Sequence, residues 1–152
     1  MKTLEDPQMV RQIKGRMDNL RADSPRQWGM MNAHQMVCHL ADSKRGVMGA
    51  KPLADASTFL QRTLIKKVAL YLPLPWPKGV PTRPEMDQML GGTKPVDFAR
   101  DKAALLVLID RISSQKRDFT FVGHPIFGKM TDKEWMRWAY LHCDHHLRQF
   151  GG

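Results

Sequence analysis

Apolar residues recur along the chain with the three-to-four-residue spacing of amphipathic helices, not with the alternation of strands. The first such segment follows Asp6 and Pro7 and places these apolar residues on one face: Met9, Ile13, Met17 and Leu20. An aspartate before a proline is a common helix start, since the carboxylate caps the first turn and proline suits the first helical position. The pattern therefore predicts an amphipathic helix from Asp6 onward.

Two further helices are predicted in the first half of the chain. One is capped by Asn32, ends near Gly46 or Gly49, and has an apolar face of Met36, Leu40 and Val47. The next begins at about Ser57 and Thr58 and is expected to turn four residues toward the core: Leu60, Leu64, Val68 and Tyr71. The proline-rich stretch 73–84 then excludes regular structure, because proline lacks a backbone donor. This stretch is predicted to be an ordered loop or a lid.

Two helices are also predicted in the second half. The fourth runs from about Pro95 to Ser113, and the loop FTFVGHPIFGKM that follows has at most a short extended piece. The last begins at Thr131, three residues before Glu134, which is the spacing of a capping box. Five helical segments without a convincing strand predict an all-α fold, namely a four-helix bundle with an additional short or irregular element.

Composition limits the class of protein. A chain of 152 residues with 42% hydrophobic and 26% charged residues is typical of a soluble globular protein, and a single domain over 1–152 is expected. The formal charge of +9 favours anionic partners. However, the basic residues are scattered in runs no longer than Lys66-Lys67. The scatter of the basic residues argues against nucleic acid as the partner, although nucleic-acid binding stays a third hypothesis.

The cysteines and the start of the chain bear on location. Cys38 and Cys143 form no CxxC motif and are too few for a disulfide framework. The start MKTLEDPQ lacks the apolar stretch of a signal peptide, and no segment approaches the length of a membrane span. A cytoplasmic protein without membrane contact is therefore predicted.

Three of the six histidines lie within five residues near the end of the chain, in YLHCDHHLRQFG. Positions four apart on a helix share a face, so His142 and His146 point the same way, together with apolar neighbours. His145 falls on the charged side of the helix and is expected to meet solvent. Buried imidazoles need partners for their nitrogens, and a metal ion bound by one nitrogen of each ring would satisfy this need.

The third ligand of such a site should come from a facing helix. His39 is the best candidate, because it borders the apolar stripe of the second predicted helix, whereas His34 lies on another side. Asp42, one turn after His39, is a candidate fourth ligand or an orienting carboxylate, and Gln149 is a candidate to orient a ligand or substrate.

Other interpretations of these residues stay open at this point. The histidine pair alone could be structural, and His124 before a proline suits a turn at least as well as a site. Zincin-type proteolysis is disfavoured, because Cys143 stands where that motif has its catalytic glutamate. Cys38 and Cys143 are better explained as small core residues than as redox thiols. The tryptophans in loops, Trp28 and Trp76, are expected to cover one end of the bundle.

The stretches DSPRQWGMMNAHQMVCHLADS, HPIFGKMTDKEW and YLHCDHHLRQFG resemble the DinB-like superfamily of four-helix-bundle metalloenzymes, in a bacterial branch of unknown function. In that superfamily a divalent ion, often nickel or zinc, is held by one histidine from an early helix and two from the last helix. The resemblance implies that His39, His142 and His146 are the ligands. It also implies thiol-dependent S-transfer with a small thiol such as bacillithiol or mycothiol, and a homodimer.

The chain departs from the superfamily in one place. Where many relatives have His-His-Arg-Gly-Gln, this chain has His145-His146-Leu147-Arg148-Gln149, so contacts of that arginine need not carry over. The leading hypothesis is a divalent-metal-dependent enzyme acting on a small molecule, with zinc or nickel as the ion. The alternative is a metal-stabilised binding or structural bundle without turnover.

Overall fold

The computed structural model describes residues 1–152 and contains helices but no strands. The helices are α1 (Pro7–Asp18), α2 (Ala33–Val47), α3 (Lys66–Tyr71), α4 (Phe98–Ser113) and α5 (Asp132–Gln149). A π-helical turn, Gln61–Ile65, leads directly into α3, and a 3₁₀ turn, Pro84–Met86, precedes α4. Extended pairing is limited to an isolated bridge between His124 and Gly128. The predicted all-α class is confirmed.

The helix starts follow the local capping signals. The Asp6 side chain accepts the N–H of Gln8 at the start of α1, where Pro7 takes the first position. Capping boxes open α2, between Asn32 and Gln35, and α5, between Thr131 and Glu134. In each box two backbone donors that the helix itself cannot satisfy find side-chain acceptors.

The four long helices enclose the core. Each contributes fully buried apolar residues to one cluster of 26 side chains, among them Ile13 and Met17, Met36 and Leu40, Leu105 and Ile109, and Trp135 and Met136. None of the helices has both the length and the apolar composition needed to cross a bilayer. The α1, α2, α4 and α5 helices thus form the bundle, and α3 is the additional element that the sequence predicts.

The predicted orientation of the third helix is wrong. Its four supposed core residues are 40 to 56% exposed: Leu60, Leu64, Val68 and Tyr71. The helix instead meets α5 through another side, where Lys66 pairs with Glu134 at 3.2 Å and the Leu70 carbonyl accepts from Arg137. The π-helical turn contributes to the error, since it breaks the 3.6-residue spacing on which the prediction depended. This exposed apolar face would be available for contact with a second copy of the chain. The homodimer that the resemblance implies stays a prediction.

The predicted start of the fourth helix is three residues early. Asp97 is the N-cap of α4, and its carboxylate accepts the N–H of Arg100 at 2.7 Å. Helix starting at Pro95 would forgo this cap. The loop before α5 matches its prediction, with the His124 bridge as its short extended piece.

Candidate metal centre

The structure brings the three predicted ligands together in the interior. His39 comes from α2, and His142 and His146 come from adjacent turns of α5; all three side chains are buried. One ligand atom from each ring lies within 4.8 Å of the others. The Nε2 atoms of His39 and His142 are 3.2 Å apart. The i, i+4 argument thus selects two rings that do share a site, and α2 supplies the third.

Hydrogen bonds fix the tautomers of the first two imidazoles. His39 Nδ1 lies 3.0 Å from the carbonyl oxygen of Met86, which can only accept, so Nδ1 carries the proton. His142 Nδ1 lies 3.4 Å from Ser43 Oγ, whose own proton is donated to the Leu40 carbonyl. The hydroxyl oxygen is therefore the acceptor in its contact with His142, so Nδ1 of His142 also carries the proton. Both neutral rings direct an Nε2 lone pair inward.

The third imidazole is oriented by Gln149. The amide oxygen of Gln149 accepts from His146 Nδ1 at 2.9 Å, and its amide nitrogen donates to the carbonyl of Trp28 at 2.9 Å. Gly29 makes this contact possible: its φ is +80°, and a Cβ there would lie 2.5 Å from the amide nitrogen of Gln149. The predicted orienting role of Gln149 toward a site histidine is thus matched by a direct hydrogen bond. His146 also presents its Nε2 lone pair to the centre.

This arrangement fits a divalent metal ion. Three Nε2 lone pairs that face one another repel, and a cation between them removes that cost. Tetrahedral coordination with metal–nitrogen bonds of about 2.0 to 2.1 Å separates ligand nitrogens by about 3.3 Å, close to the 3.2 Å between His39 and His142. A hydrogen bond from the outer ring nitrogen to a fixed acceptor is also the usual support of a histidine ligand.

The electrostatics of the site favour neutral rings. Burial lowers the pKa of His39. Burial also lowers the pKa of His142 and of His146 well below the usual value, and nearby positive charge from Lys44 and from the other histidines adds to this shift. The metal-binding form of imidazole is the neutral one. The three side chains are therefore held in the form that can bind an ion.

Asp42 does not take the role predicted for it. Its carboxylate is fully buried and makes no hydrogen bond to His39. It accepts instead from Lys51 at 2.8 Å and from the N–H and hydroxyl of Thr93, each at 2.7 Å. Met86 and Ser43 instead support the histidines of the site. Ser43 could have been found in the sequence, one turn after His39, whereas a loop carbonyl leaves no signal.

A cavity of about 820 Å³ opens onto the three histidines. The proline-rich stretch forms part of its wall, with Trp76 anchored by a 2.8 Å hydrogen bond to the Ala69 carbonyl. Four methionines also line it: Met30, Met31, Met86 and Met89. The cavity is mainly apolar, with a few polar groups near the histidines, which is typical of small-molecule sites.

Trp28 and Trp76 cover this end of the bundle. Their rings lie 5.8 and 6.0 Å from the ring of His145, measured between centroids. The expectation that His145 meets solvent is therefore only partly correct, because the two loops leave it half-buried. It lines the cavity but stands outside the cluster of three.

The remaining histidines and cysteines lie elsewhere. His34 pairs with Asp101 at 2.8 Å, on the side of α2 away from His39. Burial and the neighbouring Asp101 carboxylate raise the pKa of the Cys38 thiol to about 12, which argues against a free thiolate there. His124 has the turn role: its Nδ1 accepts the N–H groups of Ile126 and Phe127, each at 3.1 Å.

His124 should make stability depend on pH. Burial lowers its pKa from 6.5 to about 3, so between these values the unfolded chain binds a proton that the folded chain does not. Stability is therefore lost as the pH falls through this window, by about 1.4 kcal/mol per pH unit. We expect His124→Asn, whose amide oxygen can replace Nδ1 as acceptor, to lose this contribution. Urea unfolding of the metal-free proteins at several pH values measures it, and parallel profiles for wild type and variant would contradict it.

Comparison with known proteins finds one family model but no function. A family model described as "Protein of unknown function (DUF1569)" matches residues 8–151. No curated protein and no solved structure matches the chain. The match includes all three histidines of the site.

Proposed function

The chain belongs to the DUF1569 family, whose function is unknown, and we propose from its site that it is a divalent-metal-dependent enzyme acting on a small molecule. His39, His142 and His146 would hold the ion. The observation that carries the proposal is the set of three buried imidazoles whose outer nitrogens are all hydrogen-bonded and whose inner nitrogens converge. We extend the proposal to DinB-like superfamily membership, which the four-helix bundle and the positions of the histidines support.

The coordination sphere favours catalysis over a purely structural role. A structural site is closed by a fourth protein ligand, whereas a catalytic site keeps a position open. Asp42 is occupied by Lys51 and Thr93, and His145 stands outside the cluster. All three histidines line the cavity, so an open position on the ion would face it. These contacts count against the alternative of a metal-stabilised bundle without turnover.

Thiol transfer is the proposed chemistry. A divalent ion held by three neutral ligands keeps its positive charge, and so lowers the pKa of a bound thiol or water. The sulfur would form a bond to an electrophilic carbon, the leaving group would depart with its electron pair, and the thiol proton would pass to solvent. This step rests on the resemblance as well as on the site.

The chain's own groups would bind and shield the substrate. Trp28, Trp76 and the methionines of the cavity offer apolar surface for the electrophile, and methionine adapts to irregular shapes. Gln149 keeps His146 oriented, while Ser43 does the same for His142. The apolar wall would limit the access of water that competes with the thiol. The expected electrophile is therefore mainly apolar.

The test is thiol consumption by the metal-loaded protein. Wild type, loaded with zinc or nickel, is expected to consume thiol from a panel of small thiols and apolar electrophiles, and His142→Ala should not. His145→Gln is the matched control, because it changes a cavity histidine outside the cluster. Absence of turnover across the panel, with one ion bound to the histidines, would remove thiol transfer and favour the structural alternative.

A further inference from the structure

A second group of metal-ligating side chains lies outside the three-histidine site. His34 and Cys38 are one turn apart on α2, and Asp101 faces them from the first turns of α4. His34 Nε2 is 2.8 Å and Cys38 Sγ is 3.7 Å from the same oxygen, Asp101 Oδ2. Ligand atoms of all three side chains lie within 4.8 Å of one another.

This group is separate from the first site. Adjacent residues on a helix point about 100° apart, so Cys38 faces α4 while His39 faces α5. The contacts agree, since Cys38 meets Asp101 and His39 meets His142. An ion bound by the three histidines would therefore share no ligand with an ion bound by His34, Cys38 and Asp101.

The geometry does not fit a nucleophilic thiol. A base that activates a cysteine must contact the sulfur, and here the thiol and the imidazole both point to one carboxylate oxygen. The N–H of Val96 approaches that oxygen as well, at 3.1 Å. Convergence of a nitrogen, a sulfur and an oxygen on one region is instead what a bound cation requires.

The distances are near those of a tetrahedral zinc site. Bonds of about 2.3 Å to sulfur and 2.0 to 2.1 Å to nitrogen and oxygen separate sulfur from oxygen by about 3.5 Å and nitrogen from oxygen by about 3.3 Å. The corresponding separations at Asp101 are 3.7 and 2.8 Å. A small side-chain rotation of His34 would therefore admit the ion. The side chains of His34 and Asp101 are each 18% exposed, which leaves room for a water as fourth ligand.

The charges of the group also balance. A thiolate and a carboxylate together neutralise a divalent cation, so the occupied site would carry no net charge, which lowers the cost of holding it partly out of water. The thiol proton would pass to solvent as the metal–sulfur bond forms, and no redox step is involved. A thiolate ligand favours a thiophilic cation over magnesium or calcium.

We propose that His34, Cys38 and Asp101 form a second metal site, which takes Zn²⁺ or another thiophilic divalent cation and ties α2 to α4. The site is independent of the proposed enzymatic function, because none of its three side chains lines the cavity of the first site. It joins two helices that are far apart in the chain, close to the start of each.

The test is a titration of the metal-free protein with Co²⁺ alone, because a cobalt–thiolate bond gives a near-ultraviolet charge-transfer band and imidazole ligands do not. Wild type is expected to bind two ions and to show the band. Cys38→Ser should lose the band and one ion. Asp101→Asn should lower the affinity of the second site for Co²⁺ by more than about tenfold, since even the loss of a group that only hydrogen-bonds to a ligand lowers metal affinity by about that much. Cys143→Ser and His146→Ala should keep the band.

The outcomes separate the two sites. A wild-type protein that binds an ion without the band, or a band that persists in Cys38→Ser, would overturn the second site and leave the proposed function intact. If His146→Ala keeps the band but binds one ion fewer than wild type, the result would support both metal sites. Circular dichroism checks that each variant is folded. If Cys38→Ser does not fold, Cys143→Ser still decides the question, because a band that persists there can come only from Cys38 and a band that is lost there would overturn the second site.

Discussion

Replacing His146 by alanine is expected to remove one metal ion per chain. The two remaining imidazoles are too few for a tight site, because the three-histidine group has no fourth protein ligand to compensate. The total metal content should therefore fall by about one ion per chain from wild type to the variant. Elemental mass spectrometry of protein purified near neutral pH, without chelator or histidine tag, measures it.

The matched control for this prediction is His145→Ala. His145 is adjacent in sequence, half-buried and part of the same cavity wall, but its ring stands outside the cluster. It should therefore keep the ion. Equal loss in the two variants would mean that the metal depends on the integrity of the helix, and no metal in wild type even after reloading would leave the three histidines as core residues.

Replacing Asp42 by alanine is expected to destabilise the fold by about 3 to 5 kcal/mol, the usual cost of removing one partner from a buried ion pair. Asp42 is fully buried, and its loss leaves the Lys51 ammonium and both donors of Thr93 without their acceptor. Urea unfolding near pH 7 measures the change. The matched control is Asp110→Ala, which breaks the ion pair with Lys14 on the surface and should cost at most about 1 kcal/mol.

The effect of Asp42 should depend on pH in a defined direction. Burial raises the pKa of Asp42, but hydrogen bonds from Lys51 and Thr93 outweigh it, so the pKa lies below its usual value. The charged form therefore stabilises the fold above the unfolded pKa of about 3.9, and this contribution is lost as the pH falls through the folded pKa. The difference between wild type and Asp42→Ala should shrink in that range. A difference that grows on acidification would show that the carboxylate is not held by these cations and donors.

The candidate site was partly predictable from the sequence because half of it is local. The pairing of His142 with His146 follows from helical geometry alone, and the Thr131–Glu134 capping box marks the start of the helix that carries them. His39 required one more step, namely that the apolar stripe of its helix faces the core. Gln149 reaches His146 across less than one turn, which is again a local relation.

The errors concern what each face meets. Asp42 lies one turn from His39, yet its partners come from the loop around Thr93 and from Lys51. The Met86 carbonyl reaches His39 from 47 residues away. Neither contact can be predicted from the spacing of residues along the chain. Any loop that the fold brings close to a buried polar group can supply its hydrogen-bond partner. The expectation that His145 meets solvent is only partly correct for the same reason: the loops that carry Trp28 and Trp76 leave it half-buried.

By itself, the sequence determined the helices, most of their caps and the histidine pair of α5, because these depend on residues within one or two turns. The tertiary structure decided that α3 exposes its apolar face, that Asp42 serves Lys51 and Thr93, and that His34, Cys38 and Asp101 converge. The physical reason is the same in each case. Periodicity specifies which side chains share a face, whereas the groups that face them are set by the packing of elements far apart in the chain.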